Sequence, residues 1–152
     1  MALADDSGLC VEALDGRPGV YSARYGGEGL SDRQRGERLL KEMEGQTNRK
    51  AAFECVISIA VPEGPALTYE GRCEGVIVHK MIGDNGFGYD PLFLKPEVGQ
   101  TFAQMSADIK ARYSHRGKAL QELNAEFDKV LKWIDIHIPP REDNICIGAC
   151  HY

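Results

Sequence analysis

The clearest pattern along the chain is an alternation in residues 51–61, "AAFECVISIAV", where Phe53, Cys55, Ile57, Ile59 and Val61 fall on every second position. A period of two puts these side chains on one face of a β-strand. "PEGPA" then turns the chain, and "LTYEGRCEGVIVHK" returns with Tyr69 and Cys73 on one face and Glu70, Arg72 and Glu74 on the other. A hairpin of two long strands is predicted. Upstream, "CVEAL" alternates and predicts a strand, while "DGRPGVYSARYGGEG" carries the glycines and proline of turns and loops. Ser31 opens "SDRQRGERLLKEME", with Gln34 at capping-box spacing and an apolar stripe of Leu39, Leu40 and Met43; Gly36 weakens that helix. Towards the C-terminus "SADIKARY" predicts a short helix, and Ser114 the N-cap of a longer one. In the latter Leu120, Leu123, Phe127, Val130, Leu131 and Ile134 share one face, up to about Asp135. Residues 137–152, with Pro139 and Pro140, show no period and are expected to form an irregular, mobile tail after one domain spanning residues 1–136.

Composition narrows the classes of function. A chain of 152 residues with 43% hydrophobic and 27% charged residues suits one folded domain. A formal charge of −5 argues against a general nucleic-acid binder, though not against a small anion in a local basic pocket. No apolar run is long enough to span a membrane, and "MALADDSG" has neither the basic nor the apolar region of a secretory signal. Five cysteines, an odd number without a CxxC pair, suit reduced thiols in a cytoplasmic protein. Cys146, Cys150 and His151 in the tail lack four-ligand zinc spacing.

Three clusters have chemical potential. "ADDSG" places Asp5, Asp6 and Ser7 beside Gly8. Carboxylate and hydroxyl oxygens suit Mg²⁺ and phosphate, and an Asx turn is the plain alternative. On an extended backbone the adjacent acids point to opposite faces. In "GDNGFGYDPLF" Phe87 stands between Gly86 and Gly88. Such a ring either offers an open face to a planar base or plugs the core. In "KARYSHRGKAL", Lys110, Arg112, His115, Arg116 and Lys118 crowd a predicted helix start, where backbone N–H groups already favour anions. The alternative there is a solvated charged face.

"ADDSGLCVEALDGRPGVYSARY", "GFGYDPLF" and "SHRGKAL", in this order, resemble the inosine triphosphate pyrophosphatase family. The resemblance runs from Ala2 to about Ile134 and implies an α/β fold. Its features are a mixed central sheet, flanking helices and a ligand cleft between two lobes. It implies a homodimer and hydrolysis of deaminated purine nucleoside triphosphates (ITP, dITP, XTP) to a monophosphate and pyrophosphate. The implied cofactor is Mg²⁺, with Mn²⁺ as the alternative ion. By the same resemblance Asp6 is the metal ligand and the proton acceptor for water, with Asp5 turned away. Ser7 contacts substrate, Phe87, Gly88, Tyr89 and Asp90 form the loop that packs on the nucleotide, and Lys110, His115 and Arg116 recognise the purine. Arg24, in "YSARY", is a weaker candidate for the same pocket.

The family also opens with a strand and a Ser/Thr-x-Asn-x-x-Lys phosphate loop. None of Asn48, Asn85, Asn124 and Asn144 completes that motif. The chain is therefore expected to be truncated, lacking its N-terminal strand and phosphate loop. Two readings follow: the enzyme with weakened phosphate binding, or a catalytically impaired module that binds nucleotide or dimerises.

Overall fold

A computed structural model describes residues 1–62 and 64–138. Strand β1 (Ala2–Val11) leads, followed by β2 (Pro18–Gly19), helix α1 (Asp32–Glu42), β3 (Lys50–Ala60) and β4 (Ala66–Ile77). Then come β5 (Phe93–Lys95), β6 (Gln100–Thr101), α2 (Ala107–Tyr113), α3 (His115–Ala125) and α4 (Phe127–His137). The strands form one sheet in the order β2-β1-β3-β4-β5-β6. An α/β fold with flanking helices was expected, and it is present. The expected mixed pairing is instead antiparallel at each of the described interfaces.

The predicted hairpin is β3–β4, in register from Lys50↔Val76 to Ala60↔Ala66. The expected loss of an N-terminal strand does not hold. β1 begins at Ala2 and pairs with β3 along its whole length, from Ala2↔Ala60 to Val11↔Ala51. "ADDSG" lies in the middle of that strand, and "CVEAL" splits into the end of β1 and a 3₁₀ turn over Glu12–Leu14. Alanine, aspartate and glycine are poor strand formers on their own, so β1 draws its order from the β3 ladder.

Alternation puts Leu9, Phe53 and Cys73 in one cross-strand row, with Ser7, Cys55 and Gly71 in the next and Asp5, Ile57 and Tyr69 beyond. All three rows share one face of the sheet. One end of that face carries a core of Leu9, Val11, Phe53, Cys73 and Phe93 together with Leu39 and Met43 of α1. The other end carries Cys55, Ile57, Ile59 and Tyr69 under Ala119 of α3 and Val130 of α4. The opposite face presents Asp6, Glu54, Glu70, Arg72 and Glu74 to solvent.

The caps expected at Ser31 and Ser114 are present. Gln34 N–H donates to Ser31 Oγ at 3.2 Å and Ser31 N–H to Gln34 Oε1 at 2.8 Å, a complete capping box. Ser106 and Ser114 cap α2 and α3. The single long C-terminal helix does not form, because Glu126 leaves helical geometry (φ −105°, ψ 11°). The break turns the apolar stripe. Val130 is buried, while Leu120, Phe127 and Leu131 are exposed. The tail from Pro139 onward, with Cys146, Cys150 and His151, lies outside the described residues.

Candidate active site

The two core clusters meet at the row of Ser7, and a cavity of about 160 Å³ opens there. Its walls carry Ser7, Phe87, Gly88, Tyr89, Asp90, Lys110, His115 and Arg116, brought together from β1, the loop after β4, α2 and α3. Arg24 is not among them. It is exposed in the 3₁₀ turn Ser22–Arg24, with its guanidinium 5.9 Å from the Tyr21 ring.

The Phe87 loop is built around a buried carboxylate. Asp90, 4% exposed, accepts from Phe87 N–H at 3.0 Å and pairs with Lys110. Gly86 has φ +76°, and a Cβ there would land on the Asp90 carboxylate, so only glycine closes this turn. Tyr89 is buried and donates its hydroxyl proton to Ser22 O at 2.8 Å. Gly88 N–H donates to Asp32 Oδ2 at 2.8 Å, which ties the loop to the first turn of α1. Phe87 itself stays 62% exposed, so it does not plug the core. Lys110 Nζ lies 5.0 Å and Arg116 Cζ 5.7 Å from its ring centroid.

The basic wall is set by the start of α3. Ser114 Oγ accepts from Gly117 N–H at 3.0 Å, and His115 and Arg116 occupy the first turn. The His115 ring is 6% exposed and stacks on Phe53 at 4.7 Å between centroids. Burial, then the Arg116 and Lys110 charges, push its pKa from 6.5 down to about 4, with Asp5 opposing weakly. At neutral pH it is an uncharged imidazole, and its Nδ1 has no hydrogen-bond partner among the described residues. A lowered folded-state pKa means the unfolded chain binds the extra proton first. Stability should therefore fall as pH drops from 6.5 towards about 4, by up to roughly 3 kcal/mol. Urea midpoints at about pH 7.5 and about pH 5, for the wild type and His115→Phe, test this. The variant should lose most of the slope, and identical slopes would refute the assignment.

The acids of "ADDSG" are divided as alternation requires, but in the opposite sense to that expected. Asp5 shares the face of Ser7 and the cavity, and Asp6 points to the other face, across from Val56. The register of β1 on β3 decides this, because Ser7 sits opposite Cys55, whose face α3 covers. Arg116 Nε donates to Asp5 Oδ2 at 2.6 Å and Nη2 to Oδ1 at 3.3 Å, with Ser7 Oγ at 3.5 Å. The Arg116 hydrogen bonds hold the Asp5 carboxyl below its ordinary pKa and raise that of Arg116. β2 pairs only with Leu9 and Cys10. The stretch from Ala2 to Gly8 therefore borders an open edge among the described residues, with Asp5 and Ser7 on one side and Asp6 on the other.

Among the cavity-lining residues that sequence reasoning missed are Phe53, Asp32, Arg35 and Ser22. Phe53 carries a core signal that does not distinguish it from a cavity floor. Asp32 and Arg35 look like ordinary polar positions in the first turn of a helix. A larger open groove of about 700 Å³ lies on the other face between Cys10, Lys50, Arg72 and Glu97; none of the expected site residues lines it.

The Ham1 family profile matches residues 1–126. The chain belongs to that family. A dITP/XTP pyrophosphatase of Syntrophobacter fumaroxidans is 56% identical over 150 residues, covering 99% of this chain and 64% of that protein. One from Thermus thermophilus is 58% identical over 125 residues, covering 80% of this chain and 59% of that one. The chain thus spans about three fifths of the length of these Ham1 relatives. The Ham1 protein of Staphylococcus aureus superposes with a TM-score of 0.80 at 44% identity, covering 84% of this chain and 67% of that one. A HAM1 protein from Coxiella burnetii gives 0.81 at 40% identity, with the same coverage.

Proposed function

We propose that this chain hydrolyses deaminated purine nucleoside triphosphates (XTP, ITP, dITP) to the monophosphate and pyrophosphate. The observation that carries the reading is the cavity itself. It gathers an exposed aromatic ring and a wall of hydrogen-bond donors from segments far apart in sequence. Relatives that bear the name dITP/XTP pyrophosphatase support it.

In this reading the base stacks on Phe87, and Lys110, Arg116 and neutral His115 face its edge. Donors there suit a 6-oxo group and leave the 6-amino group of adenine unpaired, which discriminates strongly. Gly88, Tyr89 and Asp90 hold the Phe87 loop in place. The phosphates pass Ser7 towards the open edge of β1, where Asp6 accepts the proton of the attacking water. Asp5 is held as an anion by Arg116 and positions that guanidinium. Among the described residues no group of three or more His, Cys, Asp or Glu stands together to hold a metal. Mg²⁺ needs only one or two carboxylates when substrate phosphates complete its shell. One exposed carboxylate beside the open edge of β1 suits that form, and Asp6 would be the protein ligand for Mg²⁺ or Mn²⁺. The ion would supply charge neutralisation on the phosphates. We place the protein in the cytoplasm as a homodimer. The exposed Leu120, Phe127 and Leu131 are in keeping with self-association, and no described helix is long and apolar enough to cross a membrane.

The test is pyrophosphate release from XTP, dITP, ITP and ATP with Mg²⁺. The deaminated substrates should turn over at least about 10²-fold faster than ATP, and Asp6→Asn should abolish turnover while the melting curve stays in place. Equal use of ATP, or an active Asn variant, would count against the reading. Saturable binding without release would leave a nucleotide-binding module. Phe87→Ala should weaken nucleotide binding by about 1–3 kcal/mol. Its stability should change by less than about 1 kcal/mol, since the ring is exposed and only the two cations lie over it. Titrations and melts on the same samples separate the effects. A large drop in stability with unchanged affinity would remove Phe87 from the site.

A further inference from the structure

The base-facing donors named so far come from α2 and the first turn of α3. Arg35 of α1 also lines the cavity. Its side chain is only 16% exposed, and Nη1 pairs with Asp32 Oδ1 at 3.2 Å. Asp32 in turn accepts from Gly88 N–H, so the Asp32 carboxylate links Arg35 to the Phe87 loop. Its Nε is buried and has no hydrogen-bond partner among the described residues. A buried donor left unpaired costs free energy. A ligand acceptor that meets it recovers that cost.

We infer that Arg35 reads the 2-position of the purine and so separates xanthine and hypoxanthine from guanine. The inference rests on the nucleotide reading above and goes beyond it. The α2–α3 wall explains selection at the 6-position, but guanine has the same 6-oxo group as the deaminated bases. What differs is the 2-position: an oxo acceptor in xanthine, a C–H in hypoxanthine and an amino donor in guanine. Positions 2 and 6 flank N1 on the same ring, so a base whose 6-oxo group meets Lys110 and Arg116 turns its adjoining 2-position to the α1 residue that lines the same cavity. A guanidinium N–H there accommodates an oxo group, tolerates a C–H and opposes an amino group. Donor against donor leaves both groups desolvated and unpaired, the arrangement that discriminates most strongly. Arg35 can only donate, because a guanidinium has five N–H donors and no acceptor.

The experiment compares the 152-residue chain with its Arg35→Gln and Arg35→Lys variants, using XMP, IMP and GMP in titrations and XTP, ITP and GTP in turnover. The glutamine can accept from a 2-amino group as well as donate. Arg35→Gln should lose about 10- to 100-fold in affinity for XMP. It should change least towards IMP and gain towards GMP, so the XMP:GMP preference collapses. Arg35→Lys keeps a donor and should retain most of that preference even where absolute affinity falls. Thermal melts show that each variant is folded. Equal losses for all three nucleotides, with the preference intact in both variants, would overturn the inference and leave Arg35 as a prop for Asp32 and Gly88. If the wild type binds the three monophosphates without preference, the inference also falls. If it binds none of the six nucleotides, the nucleotide reading fails first, and the wild-type arm alone reveals that.

Discussion

Gly71→Ala is expected to destabilise the protein by about 3 kcal/mol, the upper end of the range for overpacking, and to lower nucleotide affinity with it. Gly71 sits on β4 opposite Cys55, on the face that α3 covers. A Cβ at this position would coincide with the carbonyl oxygen of His115 and crowd the amide nitrogen of Ala119. Both are backbone atoms, so no rotamer change relieves the contact and the start of α3 must lift off the sheet. That turn carries His115 and Arg116. A displacement near 1 Å commonly costs about 10²-fold in rate when it misplaces groups around the reacting centre. Thr68→Ala, on the exposed face of the same strand, is the control. Denaturant midpoints and nucleotide titrations on both variants test the expectation. If Gly71→Ala matches the control in both, α3 is not seated on Gly71.

Arg116→Ala should reduce nucleotide affinity by roughly 10- to 100-fold or more, because each charge-assisted hydrogen bond to substrate is worth about 1.5–3 kcal/mol. The same guanidinium forks onto Asp5 and reaches Ser7. Its loss also leaves the Asp5 carboxylate without its cationic partner. Arg116→Lys restores the charge without the fork and should recover only part of the loss. A double-mutant cycle with Asp5→Asn isolates the pairing, and a coupling above about 0.5 kcal/mol is expected. Additive effects within error would show that Asp5 does not position Arg116.

The local features of this chain were legible because their causes lie within a few residues. The β3–β4 alternation, the Ser31–Gln34 capping box and the cap at Ser114 depend on side-chain spacing and short-range hydrogen bonds. The three motif clusters were also visible as candidates, since glycine-flanked Phe87 and a basic helix start are unusual in composition alone. β1 was not legible. "ALADDSG" has weak strand propensity, and only its ladder with β3 makes it a strand. Helix periodicity carried the C-terminal stripe straight through Glu126, where the backbone breaks and turns Phe127 and Leu131 outward.

The sequence by itself determined that two neighbouring acids on an extended strand would face opposite ways, and that a ring between two glycines would be free to stay exposed. Tertiary structure decided which acid meets the cavity. That choice depends on the register of β1 against β3 and on which sheet face α3 covers, and both are contacts between residues far apart in the chain. It also decided that Asp32 and Arg35 belong to the site. As polar residues in the first turn of α1 they carry no local signal. Their role arises because packing of α1 on the core end of the sheet brings that turn against the Phe87 loop.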